Sequence, residues 1–133
     1  ARGAEADLEG YVSPIPVAAD ESALTLADLP ALVGRFNVIN IKLDKCGGLT
    51  EGLMMAHEAR RLGFGVMVGN MVGTSLAMAP AFVLGQLCEV VDLDGPTFLA
   101  RDRTPSVHYS AGEIFCGEEV WGGGRVPAEE TAE

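Results

Sequence analysis

Phe36-Asn37-Val38-Ile39-Asn40-Ile41-Lys42-Leu43 is the stretch that decides the fold. It is rich in β-branched residues and alternates apolar with polar positions, which predicts a strand. A period of two places Val38, Asn40, Lys42 and Asp44 on one face and Ile39, Ile41 and Leu43 on the other. Asp44-Lys45-Cys46-Gly47-Gly48 follows, and beyond the glycines the period changes. There Thr50 can cap a helix running to Leu62 and stopping at Gly63. Glu51 lies at its positive end and Arg60 and Arg61 at its negative end, as the macrodipole favours.

The same strand-then-helix pattern recurs on both sides. Toward the C-terminus, Gly65-Val66-Met67-Val68-Gly69 is a short apolar strand. Thr74 or Ser75 caps an apolar helix through Leu87, in which Pro80 is expected to make a kink. Glu89 to Asp94 is a fourth strand, closed by the turn pair Gly95-Pro96. Toward the N-terminus, Pro14 to Asp20 is extended, with proline tolerated at a strand's start. Leu26 to Val33 is helical, with Thr25 or Asp28 as cap, Gly34 as stop, and Pro30 fitting only if the helix proper begins there. Ala1 to Gly10 reads as the end of a helix. Short apolar strands alternating with helices across tight turns predict an α/β fold of four parallel βα units. From Phe98 to Val120 alternation is weak, which predicts an irregular β segment, and from Trp121 a Gly-rich, Ala/Glu-rich run reads as a flexible end.

Composition narrows the class. The chain has 133 residues, which allows one domain at most, and 48% of them are hydrophobic, enough for a core and too many for a disordered chain. Nine basic residues against nineteen acidic give a net charge of −10, which argues against nucleic acid as a partner. No apolar run approaches the roughly 18 residues of a membrane span, and no signal segment is evident. The three cysteines, Cys46, Cys88 and Cys116, are far apart and form no Cys-x-x-Cys pair. They suggest neither zinc nor a disulfide framework, and are expected to be reduced thiols in a cytoplasmic protein. The 17 glycines suit many short turns.

Each strand ends near a polar residue: Asp20-Glu21, Lys42 with Asp44 and Lys45, Asn70, and Asp92 with Asp94. In parallel βα architectures those ends converge on one face, which carries the site. Lys42, one of only two lysines, lies within an apolar strand. It reads either as a strand-end lysine paired with Asp44 or as a general base tuned by burial or a nearby cation. Asp92 and Asp94 share a strand face, so they either hold a cation or an ammonium group, or form a solvated edge pair that repels. Asp20 is the natural metal candidate, with only Glu21 beside it. His57 reads as a surface residue, His108 has no evident partner, and Gly47-Gly48 is a tight turn or a weak phosphate cradle.

These segments resemble a known family. Ile15-Pro16-Val17-Ala18-Ala19-Asp20-Glu21-Ser22 and Asn40-Ile41-Lys42-Leu43-Asp44-Lys45-Cys46-Gly47-Gly48 resemble the fifth and sixth strands of the enolase superfamily, muconate-lactonizing subgroup. Val68-Gly69-Asn70-Met71 through Thr74-Ser75-Leu76 resembles the seventh strand. Val91-Asp92-Leu93-Asp94-Gly95-Pro96 resembles the eighth-strand Asp-x-Asp of dipeptide epimerases of the Ala-Glu type. The match holds in register from residue 14 to about residue 99, and more loosely to residue 121.

The resemblance implies the C-terminal half of a (β/α)7β TIM-like barrel, its strands equivalent to the fifth to eighth across residues 1–97. Residues 98–121 would be an irregular β segment returning toward a capping domain, and 122–133 a tail. It implies an isomerase that abstracts the α-proton of a carboxylate substrate, such as an Ala-Glu dipeptide, through an Mg²⁺-stabilised enediolate. Lys42 would be the acid/base and Asp20 a metal ligand. Asp92 and Asp94 would hold the substrate ammonium, with Asn70 and Met71 also lining the substrate and Glu21 and Lys45 supporting from behind. The family's Lys-x-Lys strand and its two other metal-binding carboxylates have no counterpart in these residues. The chain alone is therefore expected to be inactive, and to associate with itself or with a complementary N-terminal half. Two alternatives stand beside this: a racemase of N-acylated amino acids or a muconate cycloisomerase-like enzyme, and a non-catalytic flavodoxin-like module that binds a ligand or assembles with a partner.

Overall fold

The structure, a computed structural model, describes residues 3–123. The decisive stretch forms strand β2 over Val38–Lys42, after Ala18–Ala19 as strand β1. Leu43 and Asp44 do not extend β2: Leu43–Cys46 is a single helical turn, α1, closed by Gly47 at φ 96°. That left-handed conformation suits glycine and turns the chain away from the sheet. The expected shared strand face of Lys42 and Asp44 is therefore corrected. Helix α2, Leu49–Arg61, starts ahead of the expected Thr50 cap, with Gly48 at its N-cap. It buries Gly52, Met55, Ala56 and Ala59, a stripe at helical spacing.

Strand β3 spans Gly65–Gly69, as expected. Helix α3, Ser75–Gly85, is capped by Thr74, whose side chain accepts from the Ala77 N–H at 3.4 Å, and continues as one element through Pro80. Strand β4 is only Val90–Asp92, and Asp94 instead precedes a 3-10 turn, Gly95–Phe98. β1 is shorter than expected because Pro14 and Pro16 lack the N–H a ladder needs. Leu26–Leu32 is a 3-10 helix, not an α-helix, with Pro30 inside it. Proline removes an i→i−4 bond and crowds the preceding turn, so the tighter winding results. The cap there is shared: Asp28 accepts from both the Thr25 N–H (2.8 Å) and the Thr25 hydroxyl (3.0 Å). The N-terminal segment contributes a short 3-10 turn, Glu5–Leu8.

The sheet order is β1-β2-β3-β4, and every neighbouring pair is parallel. No strand order reverses, so there is no switch point of the doubly wound kind. Right-handed crossovers, the rule for parallel βα units, put the connecting helices α2 and α3 on one face, as in a barrel wall. Burial agrees: Ala19, Ile39, Ile41, Val66 and Val68 are all 1% exposed or less under α2, α3 and the 3-10 helix. The opposite face carries Val38, Asn40 and Lys42 of β2, aligned with Gly65, Met67 and Gly69 of β3. Beside the edge strands that face is open, with Val90 48% exposed.

Residues 98–121, expected as irregular β structure, contain an antiparallel hairpin of β5, His108–Ser110, and β6, Glu113–Phe115, then a 3-10 turn, Glu118–Trp121. Ser75 ties this region to the body: its hydroxyl donates to Asp102, and it accepts from the buried Val107 N–H at 2.9 Å. The expected flexible end lies outside the described residues from residue 124 onward. Among the described residues no helix is long and apolar enough to cross a membrane. Cys46, Cys88 and Cys116 are unpaired.

Candidate active site

The strand ends bring the polar residues to one rim. β1 delivers Asp20, β2 delivers Lys42, and the turn of α1 delivers Lys45. Lys42 Nζ lies 2.9 Å from one Asp20 oxygen and Lys45 Nζ 2.8 Å from the other. Lys42 does not pair with Asp44, as one reading had it; Asp44 instead accepts from the Met71 N–H at 3.2 Å. Glu21, largely exposed, supports Lys45 from outside at 3.1 Å. Partial burial pushes the Asp20 carboxyl up, but the hydrogen bonds and charges of Lys45 and Lys42 outweigh it and hold the carboxyl below its ordinary value. The side chain of Lys42 is only 17% exposed, so its head sits within the site and not in solvent.

Lys42, Gly69 and Asp92 are consecutive partners across β2, β3 and β4. Parallel strands lie about 4.8 Å apart, so Lys42 and Asp92 flank a gap of roughly 10 Å with glycine as its floor. A Cβ at Gly69 would come within 3.1 Å of Lys42 Cε and 3.0 Å of Asn40 Oδ1, so the close approach depends on glycine. Asn40, which the sequence reading placed on this face without a role, is 7% exposed, and its Oδ1 has no hydrogen-bond partner.

Asp92 and Asp94 come together although only Asp92 is in the strand. Partial burial, then the Asp94 charge and a hydrogen bond between the two, raise the Asp92 pKa; Lys42 pulls weakly the other way. Two neighbouring carboxylates of this kind suit an ammonium group, whose charge and hydrogen bonds would offset their mutual repulsion. Asn70 reaches the same turn, its Oδ1 accepting from the Gly95 N–H at 3.4 Å, and its buried Nδ2 has no partner. Met71 is half exposed at the loop. His57 and His108 are exposed and outside this rim.

Asp20 is the one carboxylate at the centre of this rim, and both its oxygens are taken by ammonium groups. Among the described residues no three acidic, histidine or cysteine side chains come together to hold a metal ion. These residues alone do not make an Mg²⁺ site.

A parallel, singly wound sheet with its polar groups at the strand C-termini defines a (β/α)-barrel wall, and the chain belongs to the enolase C-terminal domain-like family, whose model matches residues 4–124. The chain is 48% identical over 122 residues to the N-acetyl-D-glutamate racemase of Pseudoalteromonas, covering 91% of this chain and 39% of that protein. It is 48% identical over 110 residues to the L-Ala-D/L-Glu epimerase of Escherichia coli K12, covering 83% of this chain and 34% of that one. It superposes at a TM-score of 0.84 and 49% identity on an enolase family member from Agrobacterium tumefaciens, described as homologous to dipeptide epimerases and holding sodium and L-Ala-L-Glu. That match covers 90% of this chain and 37% of the other. The chain thus spans little more than a third of these three relatives, and its four-stranded sheet corresponds to the C-terminal half of their barrel.

Proposed function

We propose that these residues form one side of the active site of a cytoplasmic dipeptide epimerase acting on a substrate of the L-Ala-L-Glu type. The observation that carries this reading is the row Lys42–Gly69–Asp92: a cationic side chain and an acidic pair face each other across a glycine floor. In its neutral form the Lys42 amine takes the proton from the α-carbon of the C-terminal residue, and the electrons of the C–H bond move into the adjoining carboxylate as an enediolate. Returning a proton to the opposite face inverts the centre. That second proton comes, on this reading, from a group outside the described residues. Asp92 and Asp94 hold the dipeptide's ammonium, and Asn70 and Met71 border the same turn. The described residues do not by themselves hold Mg²⁺; as a proposed cofactor it would need its other ligands from outside them, and Asp20 would contribute only by giving up Lys42 or Lys45. Those groups come from the rest of the barrel or from an associated chain laid against the open sheet face. Three unpaired cysteines suit a reducing compartment.

A second reading, racemisation of an N-acylated amino acid, draws on the Pseudoalteromonas relative. An acylated nitrogen carries no charge, so the acidic pair separates the two. The test uses the product of the complete reading frame containing these residues, assayed with L-Ala-L-Glu and with N-acetyl-L-glutamate. We expect turnover of the dipeptide, and Asp94→Asn to raise its KM by about tenfold or more, as loss of a charge-assisted hydrogen bond implies. Turnover of N-acetylglutamate alone, untouched by Asp94→Asn, overturns the dipeptide reading.

A further inference from the structure

Tyr109 has no part in the site as described, yet it touches the site's acidic turn. It lies in β5, opposite Ile114 of β6. Its hydroxyl donates to the backbone carbonyl of Leu93 at 2.7 Å. Leu93 is 1% exposed and stands between Asp92 and Asp94. The strand bearing Tyr109 is itself fixed from the other side. Val107 N–H donates to the fully buried Ser75 hydroxyl at 2.9 Å, Ser75 N–H donates to Asp102 at 3.0 Å, and the Ser75 hydroxyl donates to the same carboxylate. A chain of contacts therefore runs from the start of α3 through Asp102, Val107 and Tyr109 to the Leu93–Asp94 peptide.

We propose that Tyr109 is a positioning residue for substrate selection: it fixes the Asp92-Leu93-Asp94 turn so that both carboxylates converge on a free ammonium group. The proposal rests on the reading of that pair as the ammonium site. The Leu93 carbonyl lies in the Leu93–Asp94 peptide plane, so holding it sets that plane and with it the direction in which Asp94 leaves the backbone relative to Asp92. Without the bond the turn still forms, because Thr97 N–H donates to Asp94 O at 2.8 Å, but its tilt is no longer fixed against the body. Burial first, then the charges of Asp94 and Asp102, push the Tyr109 hydroxyl up to about 12, so it remains a donor throughout the neutral range.

The experiment uses the product of the complete reading frame and two ligands, L-Ala-L-Glu and its des-amino analogue propionyl-L-glutamate as inhibitor. Tyr109→Phe keeps the ring and removes the donor. We expect the KM for the dipeptide to rise about fivefold to tenfold, the scale of one buried hydrogen bond, with kcat within about twofold. Inhibition by the des-amino analogue should not change. Asp94→Asn, the reference variant, should show the same selectivity more strongly. Selective loss in Asp94→Asn but none in Tyr109→Phe overturns the positioning role alone. Equal weakening of both ligands in Tyr109→Phe does the same, since that is what a merely structural role gives. No selectivity in Asp94→Asn overturns the ammonium reading and this proposal with it. If Tyr109→Phe does not fold, Asp102→Asn loosens the same strand from its far end and must give the selective KM rise; equal loss on both ligands overturns the role.

Discussion

Lys42 shares one carboxylate with Lys45, and a Cβ at position 69 would crowd its side chain. A lysine so confined is set by its partners and not by its strand. The ion pair with Asp20 joins residues whose strands are neighbours in space but lie far apart in sequence. Glu89 makes the same point outside the site: its carboxylate accepts from the Val66 N–H at 2.7 Å and pairs with Arg60 at 3.2 Å. The bond from Val66 is the main cause holding the Glu89 carboxyl below its ordinary value of 4.5. A carboxyl depressed in the folded state stabilises fully above the unfolded value, and that contribution disappears as pH falls below it. Thermal melting of wild type and Glu89→Gln should therefore differ at neutral pH and converge as the pH is taken well under 4.5. A constant difference at all pH values contradicts this assignment.

Among the elements, β3 and the start of α3 were legible in the sequence because their signals are local: glycines bracket one, and a threonine caps the other. The β2 boundary was not, because Leu43 continues the alternating pattern while the chain already winds into the helical turn that Gly47 closes. The 3-10 winding of Leu26–Leu32 could be read from Pro30 only as a difficulty for a helix. At the candidate site, the polar strand-end positions were readable since each lies near a period change. Their partners were not: Lys42 meets Asp20, not the nearby Asp44, because pairing follows the sheet register. Ser75 read as a possible cap, and nothing local marked Asp102 and Val107 as its partners. That three-way tie should carry stability. Ser75→Ala leaves the buried Val107 N–H unsatisfied, and we expect a loss of about 1–3 kcal/mol by denaturant unfolding. A loss below about 0.5 kcal/mol would mean that the hairpin is held by packing alone.

At the scale of the molecule, the sheet has one finished face and one open face. Helices bury the first, while Val90, Val91 and Ile15 remain exposed at the sheet margins. The sheet matches the C-terminal barrel half of its enolase-family relatives, and the proposed site lies on the open face at its polar strand ends. With Lys42 as its proposed base, this wall serves one face of the substrate α-carbon. Under the proposed epimerase reading two bases are needed, and Lys42 is assigned to one epimer. The deciding measurement is exchange of the α-proton into deuterium oxide, followed by NMR for L-Ala-L-Glu and L-Ala-D-Glu separately, using the product of the complete reading frame. With Lys42→Ala we expect exchange to vanish for one epimer while the other still exchanges through the opposite base, and net epimerisation to stop. Unchanged exchange of both epimers in that variant would contradict the assignment of Lys42 and of the site built around it.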